Sequence, residues 1–206
     1  MKILIVKYLP GAANSNTKQL LDAFTSAIYR QKPVQVEELD LLRAQIPVFN
    51  EMSIQAYYKR NYGGQPLSEE ESKLLLVNDQ LIAQLKSADI LAIVCPMHNF
   101  GFPALVKAYI DAVVFHGETF SYGEKMMAGK KALTLFTSGG VYSNETFNFD
   151  YPNWNSIALM SKALFGFMGF DAVEVIGTSL RDEQKRLENL DQASREISEL
   201  VKKWIN

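Results

Sequence analysis

Hydrophobic positions along this chain keep switching between two rhythms. Residues 2 to 8, KILIVKY, form a short β-branched run that opens into Leu9-Pro10-Gly11-Ala12-Ala13-Asn14-Ser15-Asn16-Thr17. Beyond it Leu20, Leu21, Phe24, Ala27 and Ile28 share one face at a 3.6-residue period, so the order predicts strand, loop, helix, with Asn14, Ser15 or Thr17 able to cap the helix start. A short extended segment spans about Val34 to Leu39, and the stretch from about Arg43 to Gly64 carries no clear period. Helical patterning resumes at Ser68-Glu69-Glu70-Glu71, a capping box, and Leu74, Val77, Leu81, Ile82 and Leu85 carry it to about Lys86.

Asp89-Ile90-Leu91-Ala92-Ile93-Val94-Cys95 is apolar on both faces, the pattern of a strand inside a parallel sheet. After the loop Pro96 to Phe102, Pro103 stands where proline favours a helix's first turn; Leu105, Tyr109, Ile110 and Val113 make a stripe, and Gly117 ends it. Lys131 to Ser138 reads as a strand, Gly139 to Pro152 as a loop, and about Trp154 to Met168 as a helix stopped by Gly169. Ala172 to Thr178 is a fifth strand, and a last helix runs from about Arg181 to Trp204 with Leu187, Leu190, Ile197, Leu200 and Trp204 facing inward. Strands alternating with helices predict an α/β doubly wound sheet, a flavodoxin-like three-layer sandwich of five parallel strands in the order 2-1-3-4-5. In such folds ligands bind beyond the carboxyl ends of the strands, which singles out the loops after Tyr8, Cys95 and Ser138.

Composition narrows the class without naming a chemistry. The 206 residues suit a single domain, 1–206, and 48% hydrophobic with 21% charged residues argues against a disordered or fibrous chain. Lys and Arg number 21 against 23 Asp and Glu, so the formal charge of −2 gives no basic footprint for nucleic acid or an anionic membrane. The single cysteine, Cys95, forms no internal disulfide; with no signal-peptide core and no membrane-length apolar run, a cytoplasmic protein is expected. His98 and His116 are the only histidines and no His/Cys/Asp cluster accompanies them, so no metal site is expected.

Each of the three loops carries candidate chemistry beside a plainer role. G-x-G-x-x-G and G-x-x-x-x-G-K-[ST] are both absent, but Asn14-Ser15-Asn16-Thr17 at a helix N-terminus offers backbone N–H groups, hydroxyls and a positive dipole to a phosphate monoester; it also suits a simple N-cap. Pro96-Met97-His98-Asn99-Phe100 is apolar and aromatic where a strand end faces solvent, a place for a planar heteroaromatic ring with Asn99 at its polar edge, or a cover for the sheet edge. Thr137-Ser138-Gly139-Gly140-Val141-Tyr142 exposes bare backbone donors after a strand, or is a turn. Without G-x-S-x-G, Ser138 lacks the context of a hydrolase nucleophile.

Several of these segments, in this order and with these gaps, resemble one family. Leu67-Ser68-Glu69-Glu70 through Asp89, then Pro96-Met97-His98-Asn99-Phe100, then Leu105-Val106-Lys107-Ala108-Tyr109-Ile110-Asp111 and Gly117-Glu118-Thr119-Phe120-Ser121-Tyr122 are similar to the motif series of the FMN-dependent NADH:quinone oxidoreductases and azoreductases. The resemblance implies non-covalent FMN, with Ser15, Asn16 and Thr17 at its phosphate, Pro96, Met97, His98, Asn99 and Phe100 along the isoalloxazine, and Thr137, Ser138, Gly139, Gly140 and Tyr142 at the pyrimidine edge. It implies a homodimer with a shared active site, in which Phe120 and Tyr122 line the substrate pocket of the partner subunit. Leu9 and Ser138 depart from the family pattern, which has a serine and an arginine there.

The implied reaction is ping-pong transfer of two electrons from NADH or NADPH to a quinone or azo acceptor, with no side chain required as acid or base. A FAD-binding quinone reductase of the same fold and a flavodoxin-type electron carrier stand as alternatives. A receiver module does not, because Lys7-Tyr8 and Cys95-Pro96 replace the acidic residues it needs.

Overall fold

In the computed structural model, which describes residues 1–11, 15–31, 33–140, 155–180 and 183–205, five strands build one parallel sheet. They are β1 (Lys2–Lys7), β2 (Gln35–Asp40), β3 (Ile90–Pro96), β4 (Lys131–Ser138) and β5 (Ala172–Ser179), in the order β2-β1-β3-β4-β5. The helices are α1 (Asn16–Tyr29), α2 (Glu51–Tyr57), α3 (Glu69–Ser87), α4 (Ala104–Val113), α5 (Ser156–Met168) and α6 (Arg186–Ile205). Alternate β1 residues divide the core. Ile3 and Ile5 pack with Leu20, Phe24 and Ile28 of α1 and Ile197, Val201 and Trp204 of α6. Leu4 and Val6 face the other layer, where Leu75, Leu85, Val106, Tyr109 and Phe165 come from α3, α4 and α5. Helices on both faces explain why the central strands are apolar throughout. Among the described residues no helix is long and apolar enough to cross a membrane.

The amino ends of the strands are closed by the chain's own groups. Asp89 N–H donates to Lys2 O at 2.8 Å, Lys131 N–H to Asp89 O at 3.0 Å and Asp171 N–H to Lys130 O at 2.8 Å. Lys2 N–H donates to Asp89 Oδ2 at 2.7 Å, and Lys130 Nζ reaches Lys86 O and Ala88 O, both at 2.7 Å, where α3 ends. A cation on those last carbonyls also complements the helix dipole.

The structure differs from the sequence pattern in several places. The stretch read as aperiodic contains α2, opened by an Asn50–Ser53 capping box, and a π-helical turn, Tyr58–Tyr62. A π turn has more residues per turn than the 3.6 template, so its side chains fall off any helical stripe. Arg60 holds this turn to α3 through two 2.8 Å bonds to Asp79, and Lys59 binds Glu71 at 2.6 Å. In α3 the buried face is Leu75, Asn78, Leu81, Ile82 and Leu85, so Leu74 and Val77 are only partly buried; Asn78 is drawn in by a 3.1 Å bond to Ala112 O. Pro103 is the N-cap of α4 rather than a first-turn residue, and α4 stops at Val113. The last helix begins at Arg186, and Leu187 in its first turn is exposed instead of facing inward. Gly169 does end α5, with φ 89° and with Lys125 Cα only 2.5 Å from where a Cβ would sit.

Candidate functional site

At the carboxyl ends of β1, β3 and β4 the chain's polar groups are no longer fully spent on one another. Ser15 is the N-cap of α1, with extended backbone at φ −71° and ψ 130°, yet its side chain makes no cap hydrogen bond, and the first turn holds no acidic residue. Serine at this position ordinarily accepts from the second or third N–H of the helix. The hydroxyl and the positive end of the dipole therefore lie together with no carboxylate in the first turn of the helix. Gly11 lies against this start: a Cβ there would meet Ser15 Cβ at 3.3 Å, so a bare backbone lets the loop lie close.

Thr17 is buried and shares a 2.6 Å hydrogen bond with Thr137 at the end of β4. The first and third loops are joined by it, and whichever hydroxyl donates, the other keeps a proton for a further acceptor. Asn16 turns its Oδ1 to Gln19 Nε2 and Arg186 Nη1, both at 3.2 Å, so its acceptor faces α6.

The second loop leaves β3 at Pro96, with Met97 N–H bonded to Thr137 O at 2.7 Å. His98 and Gly101 exchange two backbone bonds, 3.0 and 2.9 Å, around Asn99 at φ 47° and Phe100 at φ 66°. Two central residues at positive φ make this a type I′ turn, normally the province of Asn and Gly. Asn99 tolerates it; Phe100 stands in a conformation costing about 1–2 kcal/mol. Ser156 Oγ donates to Phe100 O, and the His98 ring meets Tyr8 edge-on at 5.6 Å. The turn holds Phe100 half exposed, at 49%.

In the third loop Ser138 is buried and its hydroxyl donates to Gly140 O at 2.7 Å, so it is turned into its own loop. Gly139 is exposed, and among the described residues a Cβ there would meet nothing within 4 Å, so no close packing within them requires the missing side chain. Asn14 and Tyr142 lie outside the described residues. A groove of about 870 Å³ runs along β5 and α6 past Thr178, Glu183, Asn189 and Glu196. It lies off the three loops and mixes both charge signs, so the convergent donors at α1 mark the better site.

Phe120 and Tyr122 fall in a separate aromatic group. Phe120 is 7% exposed in the single chain: Thr119 anchors the turn through a 2.6 Å bond to Val113 O, and the Phe120 ring packs against Phe167, centroids 5.2 Å apart. Tyr122 is 71% exposed beside it. The Tyr62 ring stacks on His116 at 4.3 Å and 13°, and desolvation, then the Tyr57 hydroxyl, push the Tyr62 phenol up. Burial likewise pushes the Cys95 thiol up, which removes it as a nucleophile at neutral pH.

The family of the flavodoxin-like fold matches residues 1–201 of this chain. The FMN-dependent NADH:quinone oxidoreductase of Dechloromonas aromatica (strain RCB) is 33% identical over 181 residues, covering 85% of this chain and 86% of the relative. FMN-dependent NADH:quinone oxidoreductase 1 of a Bacillus cereus strain is 30% identical over 179 residues, 83% of this chain and 81% of the relative. The chain belongs to this family. A crystal structure of an FMN-dependent NADH-azoreductase from Bacillus anthracis str. Ames Ancestor in complex with FMN superposes with a TM-score of 0.85 at 25% identity, over 100% of both chains.

For a member of the FMN-dependent NADH:quinone oxidoreductase family, the three loops stand where the topology expects a ligand. Sequence reasoning missed Arg186, the Tyr8–His98 contact and the Tyr62–His116 stack. Tyr8 carried one signal, its place directly after the first strand; Arg186 and Tyr62 carried none, since packing between distant elements brings them in.

Proposed function

We propose that the protein is an FMN-dependent oxidoreductase that passes two electrons from NADH or NADPH to a quinone or azo acceptor in a ping-pong sequence, as a single-domain, cytoplasmic homodimer. The observation that supports it best is the uncapped start of α1, tied to the end of β4 by the Thr17–Thr137 bond, with the second loop tied to the same residue by Met97 N–H donating to Thr137 O, in a chain of this family. These residues fit the cofactor: a phosphate would take the place of the cap that Ser15 does not make, and a planar ring would lie beside Gly139, where no described residue crowds the backbone.

When bound, FMN supplies the hydride and electron chemistry. The chain's part is to hold and orient. Ser15, Asn16 and Thr17 present hydroxyls and N–H groups to the phosphate. Pro96, Met97, His98, Asn99 and Phe100 give the ring an apolar support whose turn is fixed by two backbone bonds. Thr137, Ser138, Gly139, Gly140 and Tyr142 would line the flavin's pyrimidine edge, where the Gly139 and Gly140 N–H groups would stabilise negative charge. Phe120 and Tyr122 reach the substrate pocket of the partner subunit, Tyr122 directly and Phe120 as the packing beneath it. Exposed Tyr58, Tyr62, Tyr122 and Phe167 support an aromatic face between copies.

The decisive experiment is to release and identify the cofactor of the purified protein, then follow NADH and NADPH oxidation with a quinone and with an azo dye. Stoichiometric FMN with acceptor-dependent oxidation is expected. FAD would favour the related quinone reductases, and FMN without nicotinamide oxidation an electron carrier. Sedimentation should give twice the chain mass; a monomer would remove the shared site.

A further inference from the structure

Arg186, the first residue of α6, comes from a part of the chain that no flavin-loop motif covers. Its Nη1 donates to Asn16 Oδ1 at 3.2 Å, and Asn16 is the first residue of α1. Its Nε is buried and has no hydrogen-bond partner among the described residues. No carboxylate of the described residues lies within 4 Å of the guanidinium either, although Asp and Glu pair with lysines and arginines at ten other places on the described surface.

The position makes this unusual. The start of α1 already carries about half a positive elementary charge from its dipole, with no acidic residue in the first turn and no cap bond from Ser15. A guanidinium beside it adds a full positive charge of the same sign. A half-buried cation next to a positive helix end, with one buried N–H that meets no acceptor among the described residues, is unfavourable in isolation and becomes favourable once an anion arrives. Asn16 is what keeps the cation there: its Oδ1 takes both the Arg186 and Gln19 donors, so the arginine is fastened to the very turn it charges.

We propose that Arg186 determines the preference for a phosphorylated flavin: it sets the positive field at the Ser15–Thr17 turn and discriminates FMN from riboflavin, acting from α6 through its tie to Asn16. This rests on the flavin reading above and deepens it. Arginine suits the role because it stays charged at any working pH and can hold an amide with one nitrogen while others remain directed elsewhere. It also locates phosphate recognition on two elements, α1 and α6, which pack together directly.

The test is a pair of titrations on apoprotein, with FMN and with riboflavin, read by quenching of flavin fluorescence. For Arg186→Gln and Arg186→Met, FMN binding should weaken about 10- to 100-fold, a range expected for a lost charge-assisted contact, while riboflavin binding changes less than about twofold. Arg186→Lys should restore most of the discrimination. Added salt should weaken FMN binding more steeply in the wild type than in the neutral variants. An unchanged FMN-to-riboflavin ratio in both neutral variants, or equal weakening of the two flavins, would overturn the proposal and leave Arg186 a structural partner of Asn16. If wild-type apoprotein bound neither flavin, the flavin reading itself would fall, a result visible before any variant is made. Far-UV circular dichroism checks that each variant folds, and the two neutral variants differ in polarity, so a folding defect in one leaves the other to decide.

Discussion

The two ends of the sheet treat their polar groups in opposite ways. At the amino end every feature described ties one part of the chain to another: Lys2, Asp89, Lys130, Lys131 and Asp171 cross-link strand starts, and Lys130 covers the last carbonyls of α3. At the carboxyl end Ser15 caps nothing with its side chain, Phe100 is held at positive φ, and Arg186 Nε is buried without a partner among the described residues. Lysines, aspartates and backbone groups make the first end, hydroxyls, an arginine and backbone groups the second. What differs is whether the chain completes the bonds itself. One end supplies stability, and the other keeps donors and strain in reserve for a ligand.

Substitutions should therefore separate binding from stability according to the end they touch. The largest effect is expected for Ser15→Asp. Aspartate is a good N-cap, so the apoprotein should melt no lower than wild type, while a carboxylate against the phosphate weakens FMN by roughly 100-fold or more, about 3 kcal/mol. Copurification of stoichiometric FMN with this variant would move the phosphate elsewhere. Lys130→Met should do the reverse: removing two bonds to the α3 terminus costs about 2 kcal/mol in a urea melt and leaves FMN affinity within about twofold. A matching loss of FMN affinity would mean the two ends are coupled.

Smaller effects sharpen the contrast. Phe100→Gly relieves a positive φ of 66° and should stabilise the apoprotein by about 1 kcal/mol while loosening FMN, because the strained turn and its ring are traded for a relaxed one. Should the variant prove less stable than wild type, the turn is not strained by Phe100. Glu37, at the amino-end pair with Lys2, gives the smallest. The Lys2 hydrogen bond first, then Gln84, hold its carboxyl below the ordinary value of 4.5, against the opposing effect of burial. A carboxylate with a lowered folded value contributes stability that is fully present above the ordinary value and lost as pH falls through the lowered one. Glu37→Gln should therefore flatten the acid limb of the stability curve below about pH 5 without changing flavin binding; an unaltered limb would show that screening has removed the contribution.

The strand order and the helix faces were legible because they depend on period and on burial, both carried by local sequence. Ile3 to Val6 and Leu91 to Cys95 are apolar because each is covered on both faces, and Phe24, Tyr109 and Phe165 fall in the core as their helical spacing implies. The π turn at Tyr58–Tyr62 was not legible, since its wider turn breaks the period used to find helices. Neither was the burial of Phe120, which depends on Thr119 bonding back to Val113 O and on Phe167 of a distant helix closing over the ring. The candidate loops were legible from topology alone. How each hydroxyl in them is spent was not: Ser138 turns to Gly140, Thr17 to Thr137, and Asn16 to Arg186, all choices made by tertiary contact.

The Thr17–Thr137 bond joins residues 120 positions apart in the chain. A polypeptide emerging from its amino end can form β1 and the following helix early, but Thr17 has no such partner until β4 has been made and slotted beside β3. Loop closure over that length is slow compared with local helix formation, so the floor of the proposed cofactor turn belongs to the late stages of assembly. Acquisition of flavin then marks the moment when β4 has joined the sheet, and a chain truncated before β4 should have the helix without the receptor.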